Sequence, residues 1–469
     1  MRRPRIGVLG FSDGEPQVHE QLKGLVQKQL DAIVNSLEET GEVEVVKGQS
    51  LVNSVKVAKE ESLKMVAKNV DGTIFSYGVF SFPNFSAIAA RQGKAPYLLA
   101  ANLNPEWPGM VAMLASGGAL HHLGIDHFRV TGDIRNDQVR QKYLMFARCA
   151  RVVGSLNGAK YGLIGGRSLG MYSATVSMQQ WQRQFGVDIE HIDQSEILRL
   201  AAEVPEDAVE DALRWLTENI GEIKYDGRQL TKEKLKTQIR HYEATKRLIE
   251  SNELDFVGVK CHYEMSRHYC TQCLSQAFIN DPYDWHGPKD PTVFSCEADS
   301  DGALTMQILK LLTGDPVIFM DVRHWDDEEK VMVFCNCGSE ATWYAARSAD
   351  PKENLKRVTL FPALDIYAGG GAHVNLMTKA GEATIARLNR TEDMYRMDII
   401  PVEFVELPRG KMEETTKEWP HVYARLPFDH ELFLQNFDAN HCHAVYGHHV
   451  EELQMICTML GIESHVMGR

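Results

Sequence analysis

Apolar residues in the first third of the chain recur with two spacings. Residues 5–10 form a short continuous apolar run, the pattern of a buried strand, whereas residues 18–39 place Leu22, Val26, Leu30 and Ile33 three or four apart, the pattern of an amphipathic helix. Runs at 43–46, 72–77 and 96–101 repeat the strand pattern, each followed by a helical stretch, which predicts βαβ units around a parallel sheet. A second cycle opens at 160–166, where a strand runs into Gly165-Gly166. It continues with a helix at 171–185, a strand at 187–192, a helical region at 204–252 and a strand at 255–260. Residues 291–297 read as strand, 302–312 as helix stopped by Gly314-Asp315, and 316–321 as strand. Beyond Glu329 short strands at 330–334, 358–360, 383–388 and 397–405 alternate with Gly, Pro and charged turns, and a helix at 450–460 closes the chain. The expected architecture is α/β. Two Rossmann-like or flavodoxin-like domains occupy 1–156 and 157–314, the second carrying Glu297. A β-rich, barrel-like C-terminal domain at 315–469 carries Asp321 and His441.

Composition narrows the partners. The 469 residues are 44% apolar and 24% charged, as in soluble globular proteins, and the formal net charge of −14 opposes nucleic acid and anionic membranes. The basic start at Arg2, Arg3 and Arg5 is followed by an apolar stretch that Ser12, Asp13 and Gly14 interrupt, so no secretory h-region is expected, and no stretch is long enough to span a bilayer. Nine cysteines, an odd number without such a leader, fit reduced thiols and a cytoplasmic location.

Two acids stand where open α/β sheets bind ligands. Glu297 and Asp321 each end a predicted strand, and the helix between them predicts that those strands are parallel near neighbours sharing one crevice. Strand-end acids also commonly cap the next helix, a role that Asp299 or Ser300 fills for residues 302–312. Near the C-terminus His441, His443, His448 and His449 concentrate imidazole before the last helix. Histidine with carboxylates suits Mn²⁺, Co²⁺ or Zn²⁺, although the pattern alone leaves open which histidine would serve and whether any does.

The run from Cys296-Glu297-Ala298-Asp299-Ser300-Asp301-Gly302 to Met306, with Val317-Ile318-Phe319-Met320-Asp321-Val322-Arg323, resembles the metal-binding segment of the L-fucose isomerases. Gly166-Arg167-Ser168-Leu169-Gly170-Met171, Pro108-Gly109-Met110, Gly369-Gly370-Gly371, Trp419-Pro420, Asn440-His441 and Tyr446-Gly447-His448 extend the likeness over nearly the whole chain. The resemblance implies an aldose–ketose isomerase working on an open-chain sugar through a cis-enediol, with Glu297 and Asp321 as catalytic carboxylates. It implies Glu297, Asp321 and His441 as ligands of Mn²⁺, with Co²⁺, Mg²⁺ or Zn²⁺ as alternatives. It further implies three domains, a homohexamer whose neighbouring subunits complete each site, and a sugar pocket lined by Lys260, His262, Cys337, His373, Trp419 and Asn440.

Several sugar-contact positions depart from the family. Leu9 stands for an arginine, Lys260 for a glutamine, Cys337 for a serine, and Ala372 followed by His373 for a tyrosine. The reaction type is therefore better specified than the sugar: L-fucose or D-arabinose, or a modified hexose. Lys260 would suit an anionic one, although pairing with a neighbouring carboxylate is the plainer expectation. A metal-dependent epimerase or aldolase could use the same ion and acids. A non-catalytic sugar-binding protein of the periplasmic type, which two α/β domains with a cleft also describe, predicts instead an export signal and no metal-ligand triad. Cys270-x-x-Cys273 lacks the second half of a zinc knuckle, and Gly165-Gly166 with Gly170 is not a dinucleotide fingerprint.

Overall fold

Strands flanked by helices on both sides bury both of their faces, and the apolar runs near the N-terminus do so. The computed structural model describes residues 1–392 and 394–468, and its chain divides into two compact units, 1–155 with 451–461 and 156–450 with 462–469. In the first unit Glu44–Lys47, Arg5–Phe11, Gly72–Tyr77, Tyr97–Ala101 and Phe128–Thr131 pair in that order, all parallel. Successive residues feed opposite cores: Ile6, Val8, Ile74 and Leu98 pack on one side, and Leu9, Phe11, Phe75 and Leu99 on the other. The strand Phe128–Thr131 escaped the sequence reading because only Phe128 and Val130 give it an apolar signal.

The second unit contains another parallel sheet, Val293–Cys296, Phe256–Val259, Lys160–Ile164 and Asp188–Ile192 in order. It also contains a seven-stranded sheet in the order Gly381–Thr391, His441–Tyr446, Ile318–Asp326, Val331–Cys335, His421–Arg425, Met394–Val405 and Glu463–Val466. Met394–Val405 pairs back onto Gly381–Thr391 over its whole length, so the sheet closes on itself.

Three expectations need correction. The strands bearing Glu297 and Asp321 are not parallel neighbours: Val293–Cys296 belongs to the parallel sheet, and Ile318–Asp326 runs antiparallel between two strands of the closed sheet. The intervening helix, Ser300–Thr313, is a bridge from one sheet to the other and not a crossover within one. Of the helix expected at 171–185 only Met178–Gln184 forms, because Ser177 caps it, its Oγ accepting from Gln180 N at 3.2 Å, after a turn in which Gly165, Gly166 and Gly170 have positive φ. The region 204–252 is two helices, Glu206–Asn219 and Lys232–Ser251. Between them Glu222–Ile223 pairs with Thr359–Pro362, and Gly221 lies so close to Lys356 that a methyl group there would sit 2.3 Å from its carbonyl oxygen. Among the described residues no helix is long and apolar enough to cross a membrane, and all nine cysteines are free thiols.

Candidate metal centre

The strand Val293–Cys296 stops one residue before Glu297, and the chain then takes a conformation rare for residues with side chains: Glu297 and Ala298 have φ of 58° and 54°. Each such residue stores about 1–3 kcal/mol of strain and persists only where its surroundings hold it. Here they do. Ala298 N donates to Val259 O at 3.1 Å, Ala298 is fully buried, and Asp299 caps the following helix, its Oδ1 accepting from Gly302 N at 3.0 Å. The turn projects the Glu297 carboxylate, 7% exposed, toward the closed sheet.

Asp321 and His441 meet by register. They are cross-strand partners, so their side chains share one face, and His441 Nε2 lies 3.2 Å from Asp321 Oδ1 and 3.6 Å from Glu297 Oε2. The other ring nitrogen, Nδ1, lies 2.8 Å from Asp299 Oδ2. Asp299 accepts in turn from Arg387 Nη1 at 2.7 Å, both side chains being buried. Burial resists a charge on His441, but the hydrogen bonds to Asp299 and Asp321 outweigh it and push the imidazolium up to about 10. For Asp299, burial favours the neutral acid, yet Arg387 and His441 hold the carboxyl well below its usual range. Glu297 is raised, first by burial and then by the charge of Asp321, while His441 opposes the shift.

These residues fit a divalent cation. Asp299 fixes one proton of His441 on Nδ1, so that release of the other from Nε2 to an incoming cation would turn a lone pair toward the two carboxylates. Three acceptors pointed at one another repel unless a proton or a metal ion lies among them, and an imidazole nitrogen with two carboxylate oxygens suits the harder transition metals.

The remaining predicted residues distribute as follows. His262 and Cys337 join the cluster: His262 Nε2 is 3.3 Å from Glu297 Oε1, and Cys337 Sγ is 3.5 Å from that same oxygen and 3.6 Å from His262 Nε2. Ligand atoms of His262, Glu297 and Cys337 all lie within 4.8 Å of one another. Lys260 donates to Glu264 Oε1 at 2.8 Å, so its charge has a protein partner. His373 is buried with both nitrogens engaged, Nε2 by Leu364 N at 3.2 Å and Nδ1 by Cys273 Sγ at 3.4 Å. Trp419 stacks under Arg323, and its Nε1 is buried without a hydrogen-bond partner among the described residues. The carbonyl of Asn440 accepts from Val322 N at 2.9 Å, and the residue lines an open cavity with Asp301, Arg387 and Arg390.

Sequence reasoning missed Asp299 as the partner of His441, because its capping role gave it a sufficient explanation. It also missed Arg387, whose pairing with Asp299 spans 88 positions and has no local signature. His421 went unremarked as well. It completes the cross-strand row His441, Asp321, Cys335, His421, and its Nε2 is buried without a hydrogen-bond partner among the described residues.

Comparison with known proteins matches residues 3–158 to the first N-terminal domain of L-fucose isomerase and residues 334–468 to its C-terminal domain, together more than half of the chain. The chain belongs to the L-fucose isomerase family. That places it among the aldose–ketose isomerases. The L-fucose isomerase of Vibrio vulnificus YJ016 is 26% identical over 433 residues, covering 76% of this chain and 74% of the relative. That of Streptococcus pneumoniae P1031 is 25% identical over 548 aligned positions, covering 98% of this chain and 93% of the relative. A solved structure, a periplasmic solute-binding protein from Actinobacillus succinogenes 130z with bound D-allose, covers 67% of this chain and 93% of its own at 13% identity, but its TM-score of 0.17 carries no argument.

Proposed function

We propose that this aldose–ketose isomerase is metal-dependent and converts an open-chain sugar through a cis-enediol. One observation carries the reading: His441 Nε2 stands between the carboxylates of Glu297 and Asp321 while Asp299 holds the opposite side of the ring. Glu297, Asp321 and His441 would hold the ion, with Mn²⁺ the first choice and Co²⁺, Mg²⁺ or Zn²⁺ the alternatives. A divalent ion bound there supplies Lewis acidity toward the oxygens at C1 and C2 of the sugar. The protein supplies the proton transfers. Glu297 and Asp321 divide between them removal of the C–H proton, service of the hydroxyl proton, and return to the neighbouring carbon. Trp419 Nε1 and His421 Nε2, both buried without partners among the described residues, are suited to sugar hydroxyls. His262 and Cys337, which lie beside Glu297, would bound the sugar pocket, and Lys260, His373 and Asn440 are its further proposed contacts.

The substrate we favour has the configuration of L-fucose, the sugar for which the relatives are named, or of D-arabinose. The Lys260–Glu264 pair favours a neutral sugar over an anionic hexose. The strand order of the first sheet matches the flavodoxin-like doubly wound order, which supports a Rossmann-like reading of that domain. Three family domains, 1–156, 157–314 and 315–469, a homohexamer and a cytoplasmic location complete the proposal. The nine free thiols favour that location. An epimerase or aldolase on the same residues would give a different product.

The test is metal-stripped protein incubated with a panel of aldoses with and without Mn²⁺, followed by ketose detection. Ketose formation restored by Mn²⁺ and lost in Glu297→Gln and Asp321→Asn is expected. An epimeric aldose or a cleavage product in place of ketose would move the assignment to the alternative, and failure to bind any of Mn²⁺, Co²⁺, Mg²⁺ and Zn²⁺ would overturn it.

A further inference from the structure

The Glu297 carboxylate has two faces. Oε2 looks toward His441, and Oε1 toward His262 Nε2 at 3.3 Å and Cys337 Sγ at 3.5 Å, with nitrogen and sulfur 3.6 Å apart. Tetrahedral coordination at about 2.3 Å from sulfur, about 2.0–2.1 Å from imidazole nitrogen and about 2.0–2.2 Å from carboxylate oxygen puts neighbouring donors roughly 3.3–3.6 Å apart. The three edges of the His262–Glu297–Cys337 triangle have those lengths without any movement. His262 and Glu297 are buried, and Ser266 Oγ lies 3.4 Å from His262 Nδ1, which leaves Nε2 to face the triangle. The His262 ring is packed against Tyr367 at a centroid distance of 5.0 Å, so its plane is held.

We propose that His262, Cys337 and the Oε1 face of Glu297 form a second cation subsite, selective for thiophilic divalent ions such as Zn²⁺ and Cd²⁺, next to the Glu297–Asp321–His441 centre. Selectivity follows from the donor set. A thiolate and an imidazole discriminate against Mn²⁺ and Mg²⁺ and favour ions that take sulfur in tetrahedral geometry. On binding, the Cys337 S–H bond breaks, its proton leaves to water, and an S–metal bond forms without any change of oxidation state. Three protein ligands leave the fourth position open to water or a sugar oxygen. Because Glu297 is shared, an ion here takes one oxygen of a carboxylate that the proposed isomerisation needs, so thiophilic ions would act as inhibitors. The proposal rests on the preceding reading only in placing another ion on the far side of Glu297, and the experiment separates the two.

Full-length, metal-stripped protein is titrated with Cd²⁺ alone, following the near-ultraviolet thiolate-to-metal charge-transfer band and total bound Cd²⁺. Mn²⁺ binding is measured separately by electron paramagnetic resonance. The expected result is a charge-transfer band in the parent chain and in Asp321→Asn, lost in Cys337→Ser and weakened at least tenfold in affinity in His262→Gln, with Mn²⁺ still bound by Cys337→Ser. A band that survives Cys337→Ser places the ion on another thiol, Cys296 being 3.9 Å away, and overturns the assignment. A band lost equally in Asp321→Asn and Cys337→Ser would mean one merged site and also overturns it. Loss of Mn²⁺ binding in Asp321→Asn, with the Cd²⁺ band intact, bears on the first centre alone.

Discussion

Asparagine at position 299 would keep a hydrogen-bonding group of the same size beside His441 Nδ1 while removing the charge that balances Arg387. Two effects follow from the buried pair, Asp299 Oδ2 to Arg387 Nη1 at 2.7 Å. His441 exchanges an acceptor-only carboxylate for a neutral amide that can accept or donate, so its proton is no longer fixed on Nδ1, and Asp299→Asn is expected to lower Mn²⁺ affinity about 10–100-fold. Arg387 is left buried without the carboxylate it directly bonds, Asp301 remaining as a more distant counter-charge, which should destabilise the fold by up to about 3–5 kcal/mol. Calorimetric Mn²⁺ titration and thermal unfolding of the same protein check both, and unchanged Mn²⁺ affinity would remove Asp299 from its positioning role. Lys260→Gln tests the pocket. Since Lys260 is already paired with Glu264, kcat/KM for neutral aldoses should change less than about threefold, whereas a larger loss confined to anionic sugars would restore the anionic substrate. At this scale the sequence was informative where a residue type had a motif around it. Glu297, Asp321 and His441 stood in recognisable runs, but Arg387 and His421 reach the site only because strands distant in the chain are paired, and nothing adjacent to them signals it.

Among elements, the turn between Val293–Cys296 and Ser300–Thr313 decides where Glu297 points. Its two left-handed residues pass over Gly258, where a methyl group would lie 2.1 Å from Tyr161 Oη and 3.2 Å from Ala298 Cα. Tyr161 cannot retreat easily, being buried with its hydroxyl 3.1 Å from Ser300 Oγ. Gly258→Ala should therefore push on the turn itself, destabilising the protein by about 1–3 kcal/mol and weakening Mn²⁺ binding although residue 258 touches no ligand. Wild-type Mn²⁺ affinity in Gly258→Ala would show that the turn does not set the carboxylate. The periodicity revealed the strand, the helix and the next strand here, yet not that they lie in two sheets. A parallel crossover and a bridge between sheets have the same local pattern, and the choice is made by the antiparallel pairing of Ile318–Asp326 with His441–Tyr446, a strand that the sequence presented as a histidine cluster. Likewise Gly221 and the two residues after it divide one long helical pattern because Thr359–Pro362, far along the chain, offers a strand to pair with.

The response of the whole molecule to acid mixes contributions of opposite sign, and one histidine separates them. His241, on the helix Lys232–Ser251, is buried against Cys270 Sγ at 3.3 Å and Gln272 Nε2 at 2.8 Å, and burial brings its pKa down to about 4. Above pH about 6.5 the imidazole is neutral in both the folded and unfolded chain and adds nothing to the pH dependence. As the pH falls through 6.5 the unfolded chain takes up a proton that the folded one refuses until about pH 4, so stability declines by about 1.4 kcal/mol per pH unit in that window. Burial acts in the opposite sense on Asp281, raised to about 7, and on Asp301, raised to about 6, because these acids bind a proton more readily when folded and gain stability as the pH drops. The raw slope of stability against pH is thus a poor reporter of any single group, but the difference between wild type and His241→Gln cancels the shared acids. Urea unfolding followed by tryptophan fluorescence should show wild type exceeding His241→Gln by most at pH 7, with the margin shrinking toward pH 4.5. A margin independent of pH would mean that His241 takes up its proton at the same pH in the folded as in the unfolded chain, which its buried setting between a thiol and an amide, with no carboxylate against it among the described residues, argues against.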